Sequence, residues 1–385
     1  MTFSKGLYIH IPYCRHKCLY CDFYTGGERI AEWEVYLKSI INELNIRKDE
    51  NPGLWTTIYL GGGTPSLIPE KQFEFLIHEI NKVLNVSSWL EFTIEVNPED
   101  VTPEKIISWK KSGVTRVSVG VQSLNDKELK VIGRKHTGDE ARNALIKLQE
   151  NFGNISIDIM SGLPGQTEKS YIDTLNEIIK IKPQHISSYT LMLEENTAMT
   201  HLVDRGNIKL PDEDLSLKLM EMTSKILKEQ GYIHYEISNY SLPGMESRHN
   251  LSYWEGKPYL GLGPGAHSYD GSSIRRWNPN DLKGYIRFYK EKALLNPGKS
   301  EKVFFEEEDL SEKEEREEYI LTRLRTSKGI SIIEFGEKFG EDELKNLLQK
   351  SLMFENSGDM KKDNDFISLT EKGILVSDSI FTSLI

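Results

Sequence analysis

The chain has only three cysteines in 385 residues, and all of them fall between positions 14 and 21. That scarcity argues against a disulfide framework, which needs even numbers spread along a secreted chain. No apolar leader precedes the first cysteine in Met1-Thr2-Phe3-Ser4-Lys5, so the expected compartment is the reducing cytoplasm. A basic excess is missing as well. With 48 Lys and Arg against 59 Asp and Glu the formal charge is -11, which argues against a general nucleic-acid binder because phosphate contacts need cations. Hydrophobic residues make up 38% of the chain, and no apolar run approaches the about 18 residues of a membrane-crossing helix. The length predicts about two packing units.

What is present is a concentrated cluster of thiols. Cys14-Arg-His-Lys-Cys18-Leu-Tyr-Cys21 lets a tight loop turn three thiolates toward one centre, as in iron–sulfur sites built from short cysteine runs. A four-iron cluster so held is one protein ligand short. On the cysteines alone, zinc held with His10 or His16 stays an alternative, as do inert packing thiols.

Short β-branched runs alternate with longer helical patterns. Strands are predicted at Leu7–Ile11, Thr57–Leu60, Phe92–Val96, Arg116–Val121, Ile155–Ile159 and His185–Thr190. Helices are predicted near Glu32–Arg47, Glu70–Leu84, Pro103–Ser112, Asp139–Asn151, Glu168–Ile181 and Asp212–Gln230; in the last, Leu215, Leu219, Met222 and Ile226 make one apolar face. Such βα units imply an α/β fold with a parallel sheet wrapped by helices. Unusual chemistry follows consecutive strands: the cysteines, then Gly61-Gly62-Gly63-Thr64-Pro65, Glu95-Val-Asn97-Pro98-Glu99, Gly120-Val-Gln122-Ser123, and Asp158 leading into Gly162-Leu-Pro164-Gly165. Parallel barrels build their sites from such βα loops. Taken singly, the glycines could be mere turns, Glu95 a solvated or capping carboxylate and Arg134 an ordinary surface cation.

Cys-x-x-x-Cys-x-x-Cys after a first strand, Gly-Gly-Gly-Thr-Pro after a second and Glu95 after a third together resemble the radical S-adenosylmethionine superfamily. The resemblance implies a partial (β/α)6 TIM-like barrel whose mouth holds a [4Fe-4S] cluster on Cys14, Cys18 and Cys21. The remaining iron would be chelated by S-adenosylmethionine, which that superfamily cleaves reductively to a 5'-deoxyadenosyl radical. Over roughly residues 5 to 275 the motifs resemble the branch of oxygen-independent coproporphyrinogen III oxidases and HemW-type heme chaperones. By motif position, Tyr8, Gly62, Gly63, Thr64 and Glu95 would contact S-adenosylmethionine. Tyr20, Gln122, Arg134, Asp158, Met192 and His267 would line the pocket around it or a second copy.

Three features separate the two subfamilies. Phe23 stands where the oxidases typically have cysteine, only thirteen residues precede Cys14, and Arg248-His249-Asn250-Leu251-Ser252-Tyr253-Trp254 resembles the His-Asn-x-x-Tyr-Trp signature of HemW-type proteins. The resemblance therefore implies a heme chaperone over an oxidase. His249 is the first candidate heme ligand, with Tyr253 and Trp254 able to lie against a porphyrin face. Packing of these residues in the lower barrel is the bland alternative. His267, in a glycine-rich loop, is a second candidate. Implied partners are heme-accepting proteins, membrane-associated ones among them, a reduced donor such as flavodoxin or ferredoxin, and a second copy in a homodimer; no nucleic acid is expected.

The expected domains are 1–240 as the barrel core, 241–300 as an additional β/α segment, and 301–385 as a small C-terminal winged-helix-like α+β unit for packing or docking. Glu306–Glu318 is strongly acidic, and its later part is predicted as a solvated helix face. Further helices are predicted at Ser331–Phe339, Glu341–Ser351 and Glu371–Leu384, with a hairpin at Asp363–Leu369.

Overall fold

The computed structural model describes residues 4–27, 32–51, 53–292 and 303–385, so the domain boundary expected at 300/301 lies outside the described residues. Six parallel strands, β1 (Ser4–Ile11), β2 (Leu54–Gly62), β3 (Glu91–Val96), β4 (Arg116–Gln122), β5 (Ile155–Ser161) and β6 (His185–Thr190), pair in chain order. Each is followed by a helix, the principal ones being Trp33–Arg47, Glu70–Leu84, Pro103–Lys111, Gly138–Gln149, Glu168–Ile181 and Glu213–Glu229. Local chemistry starts these helices: Thr102, Thr137, Thr167 and Asp212 each accept a backbone N–H of the first turn.

Period-two alternation gives the barrel its character. Leu7, Ile9, Ile58, Leu60, Phe92, Ile94, Val117, Val119, Ile157 and Ile159 are wholly buried in the main apolar core, which they share with the surrounding helices. The alternate positions, among them Tyr8, Thr57, Tyr59, Thr93, Glu95, Arg116, Ser118, Asp158 and Ser187, face the lumen, as the strand register requires. A lumen lined with hydroxyls and charges is a poor place for packing alone and a good one for a polar ligand.

The barrel is open, and the sheet runs on at both edges. Beyond β6 it adds β7 (Ile233–Glu236) and β8 (Asn239–Ser241); beyond β1 it adds β9 (Tyr259–Leu262), β10 (His267–Tyr269), β11 (Ile274–Trp277) and β12 (Glu306–Asp309). The start of the acidic stretch is thus an edge strand, although glutamate is a poor strand former. Arg276 lies opposite Glu307 and bonds it at 2.6 Å, which stabilises the pairing, while the charges discourage further strand addition at this edge.

A buried polar network fixes this extension to the barrel. Glu43, fully enclosed in helix Trp33–Arg47, accepts from Arg47 Nη1 (2.8 Å), Gly263 N (2.9 Å), Asn278 Nδ2 (2.8 Å) and Tyr285 Oη (2.6 Å). The glycine-rich loop before β10 is thereby tied to the first helix.

The C-terminal unit has its own core around Ile320, Leu324, Phe335, Leu347, Ile367 and Ile380. Helix Glu312–Leu324, β13 (Ile330–Ser331), helices Ile332–Phe339 and Glu341–Ser357, and the hairpin of β14 (Met360–Lys362) and β15 (Phe366–Leu369) make the winged-helix-like order. Helix Glu341–Ser357 outruns the expected Ser351 because its stop is Gly358, which takes φ +79° as a left-handed cap. The last helix is broken into Glu371–Ile374 and Ser377–Leu384, since Val376 (φ -121°, ψ 23°) leaves helical geometry. No helix among the described residues is long and apolar enough to cross a membrane.

Candidate functional site

The ends of β1 to β6 surround one cavity of about 410 Å³. Cys14, Cys18, Cys21, Tyr20, Gly62, Gly63, Thr64, Glu95, Gln122, Arg134 and Asp158 all line it, together with Asn97, Ser118 and Tyr189. The cluster loop is held from several sides. Thr64 Oγ1 donates to Cys14 Sγ (3.3 Å), Cys21 N to Cys18 O (3.2 Å), and Gly63 N to Ile11 O (2.8 Å). Arg134 reaches Cys18 Sγ (3.6 Å) and Asn97 Oδ1 (2.8 Å) and also bonds Gly120 O, so one guanidinium joins the loop to the ends of β3 and β4.

Two glycines are required by close approach. Gly62 has φ +100°, and a Cβ there would stand 2.5 Å from the His10 ring. A Cβ at Gly63 would meet Ile11 O at 2.6 Å and Cys14 Sγ at 3.1 Å. The triplet is therefore a floor pressed against the cluster loop, which no side chain could share. Gln122 takes φ +66° at a register shift in β4; this is a costly conformation for a non-glycine residue, and here it sits on the cavity wall.

Three thiolates that open on one cavity fit the corners of a cluster, and His10, one of the two histidines weighed for zinc, is already engaged. Among the described residues no group of three or more His, Cys, Asp or Glu is arranged to hold a metal ion, and His10 has both nitrogens engaged, with Tyr8 Oη (3.2 Å) and Tyr24 O (2.9 Å). Zinc needs four donors about 2 Å from one point. In a cluster each thiolate takes its own iron, so three cysteines opening on one cavity suffice. Burial raises the Cys14 thiol and pushes Cys21 up to about 11, so metal binding here must displace protons.

Deeper in the lumen, Tyr59 Oη donates to Glu95 Oε1 (2.7 Å) and Ser118 Oγ to Asp158 (3.3 Å). Burial, with Asp158 adding to it, pushes the Glu95 carboxyl up to about 7. Tyr59 and Tyr189 escaped the sequence reading. Their only signal was period: Tyr59 faces the lumen two residues before the glycine triplet, and Tyr189 one residue before the end of β6.

Other expected residues lie elsewhere. Met192 is 66% exposed and does not line the cavity. Tyr8 and His267 line a neighbouring aromatic cleft with Tyr24, Tyr253 and Tyr259. His249, 1% exposed, sits at the opposite end of the barrel, where helix Arg248–Trp254 closes the lumen beside the start of β2 and β3. Its Nδ1 meets Thr57 Oγ1 (2.8 Å), its Nε2 meets Tyr253 Oη (2.7 Å), and its ring stacks on Tyr59 at 5.2 Å. Glu91 accepts the helix's first N–H groups from Arg248 (2.8 Å) and His249 (3.0 Å). Tyr253 and Trp254 diverge: Trp254 packs under Arg325 at 4.6 Å, away from the cleft that Tyr253 lines. The three aromatic residues thus share no cavity, and His249 as placed offers no free nitrogen to an iron.

Comparison with known proteins agrees with this geometry. Residues 8–178 match the radical SAM superfamily model, and residues 310–376 match the HemN C-terminal domain. The E. coli coproporphyrinogen III oxidase HemN, described as a radical SAM enzyme, superposes with a TM-score of 0.82 over 100% of this chain and 90% of its own, at 20% identity; that likeness speaks for the fold. In sequence, the heme chaperone HemW of Bacillus subtilis is 35% identical, covering 98% of both chains. HemW of Lactococcus lactis is 34% identical over 98% of this chain and 96% of its own, and that of Mycobacterium tuberculosis 30% over 99% and 94%. At 34 to 35% identity over 98% of its length, this chain belongs to the HemW heme chaperone family of the radical S-adenosylmethionine superfamily.

Proposed function

We propose that this chain is a cytoplasmic heme chaperone that binds a [4Fe-4S] cluster, S-adenosylmethionine and heme, and passes heme to acceptor hemoproteins. The observation that carries the reading is the convergence of the three cysteines, the Gly62–Thr64 loop and Glu95 on one cavity, in a chain whose whole length follows the HemW relatives. Cys14, Cys18 and Cys21 would hold the cluster, which supplies one-electron chemistry at the barrel mouth when reduced by a donor of flavodoxin or ferredoxin type. The bare backbone of Gly62 and Gly63 lets the ligand approach, Thr64 fixes Cys14, and Arg134 holds Cys18 against the ends of β3 and β4. Glu95 and Asp158 offer carboxylates to ribose hydroxyls or an ammonium. Acceptors, membrane-associated ones included, and a second copy of the chain are the proposed protein partners.

The test is anaerobic titration of the cluster-loaded protein with heme while S-adenosylmethionine cleavage is followed, and a parallel incubation with coproporphyrinogen III. Saturable heme uptake, transfer to an apo-hemoprotein and unchanged coproporphyrinogen are expected. Decarboxylated product, or absence of heme uptake, would overturn the chaperone reading.

Glu95 gives a pH signature. Its folded pKa of about 7 lies above the ordinary 4.5, so its ionisation costs stability, a cost that sets in as pH rises from 4.5 and is complete above about 7. A cationic ligand beside it favours the charged form. Binding of S-adenosylmethionine near pH 7 should therefore release about half a proton per chain. Calorimetry in buffers of different ionisation enthalpy reads that release, and Glu95→Gln should abolish it; an undiminished release in the variant would remove Glu95 from this role.

A further inference from the structure

We propose that the outer face of the cysteine loop, around Arg15, Lys17 and Lys135, is the docking surface for an acidic one-electron donor protein, which it seats behind Cys18. The proposal rests on the cluster and donor part of the reading above and says where on the molecule that donor binds.

The loop has two sides. One opens on the cofactor cavity, and behind the other lies a smaller groove of about 190 Å³ walled by Arg15, His16, Cys18, Arg134 and Lys135. Cys18 lines both hollows, whereas Cys14 and Cys21 line the cavity and not the groove. A neighbouring segment closes on the loop here. Leu19 N donates to Ile132 O (3.1 Å), and a Cβ at Gly133, whose φ is +82°, would stand 3.2 Å from Leu19 Cγ. That close approach, which only glycine permits, brings the next two residues beside Cys18. Arg134 turns inward to its sulfur at 3.6 Å, and Lys135 stays exposed at the rim of the groove.

The charge on this side is uncommitted. Arg15, His16 and Lys17 follow Cys14 directly and all are exposed. Among the described residues neither Lys17 nor Lys135 has an ion-pair partner, while Arg15 spends Nη1 on Asp100 at 2.7 Å and keeps half of its side chain in solvent. Of the nearby carboxylates, Asp100 is buried and held by Arg15 and Ser66, and Glu99 lies 3.3 Å from His136; Asp22, after the third cysteine, is exposed.

An acidic protein is repelled by the chain as a whole, whose formal charge is -11. Free cations gathered around the one loop that carries the thiols reverse that repulsion locally, and complementary charge steers encounter and fixes orientation more than it adds affinity. Weak redox encounters bury little surface, under about 1,200 Å², so a loop and its rim are large enough. In the step itself the donor is oxidised by one electron and the cluster held by Cys14, Cys18 and Cys21 is reduced by one; no bond forms or breaks.

The experiment measures binding of an acidic flavodoxin to the cluster-loaded full chain by surface plasmon resonance, and cluster reduction by stopped-flow absorbance. In the chain carrying Lys17→Glu and Lys135→Glu the association rate at low salt should fall at least about tenfold, and the difference should narrow as salt screens the charges. Iron content and reduction by photoreduced deazaflavin, a small molecule that needs no docking surface, should match the parent. Lys135→Glu alone, outside the cysteine run, should shift binding in the same direction with cluster content kept. A chain with Lys361→Glu and Lys362→Glu, the same charge change placed on the exposed C-terminal hairpin, should bind flavodoxin like the parent. Equal binding in the loop variant, an equal loss in the hairpin variant, or parent binding indifferent to salt would overturn the docking surface. A parent chain that takes up no cluster would instead overturn the cluster reading itself.

Discussion

A chain carrying Cys14→Ala, Cys18→Ala and Cys21→Ala should leave anaerobic reconstitution with iron and sulfide without a cluster, while the parent chain takes up about four iron atoms. The effect is all-or-none because the three thiolates are the only cysteines available and the loop that carries them is already fixed by Thr64, Arg134 and Gly63. Each single substitution should also lower cluster content, since two thiolates cannot hold the cube against exchange with solvent. Iron and sulfide analysis and electron paramagnetic resonance of the reduced protein read the outcome. A parent chain that binds one zinc and no cluster would sink the assignment. Because metal must displace protons from thiols held above their usual range, uptake should weaken as pH falls.

The second large effect concerns stability. Glu43→Ala should cost about 3 to 5 kcal/mol, because Arg47, 2% exposed, would remain as a buried charge that has lost this partner, and three further donors would lose their acceptor. Arg47 keeps Glu50 at 3.0 Å, which limits the loss. The thermal midpoint should fall by roughly 5 to 15 °C. Glu43→Gln preserves acceptors for Gly263 and Tyr285 without the charge and should lie between the two. A midpoint unchanged by Glu43→Ala would show that the network contributes little.

Much of the barrel was legible because its signals are local. Strands reveal themselves by β-branched runs, helices by apolar period and capping residues, and the cofactor loops by short contiguous patterns directly after strands. Leu7, Ile9 and Ile11 fix which face of β1 is apolar, and the same residues thereby aim Tyr8 and His10 at the lumen. Edge elements were less legible: Glu306–Asp309 pairs with Ile274–Trp277, where Arg276 bonds Glu307 and Trp277 bonds Glu306, which no local propensity encodes.

By itself, the sequence determined the six βα units, the thiol loop, the glycine floor and the likeness to heme chaperones, since each is written in neighbouring residues. Only the tertiary structure decided that His249 is enclosed at the base of the barrel, that Tyr253 and Trp254 part company, and that His267 joins Tyr8 and Tyr253 in one cleft. Those outcomes depend on pairings such as Thr57 with His249, 192 residues apart, and Glu43 with Tyr285, 242 residues apart. Contacts at that separation are set by strand register and helix packing over the whole chain, and the physical meaning of a histidine lies in them.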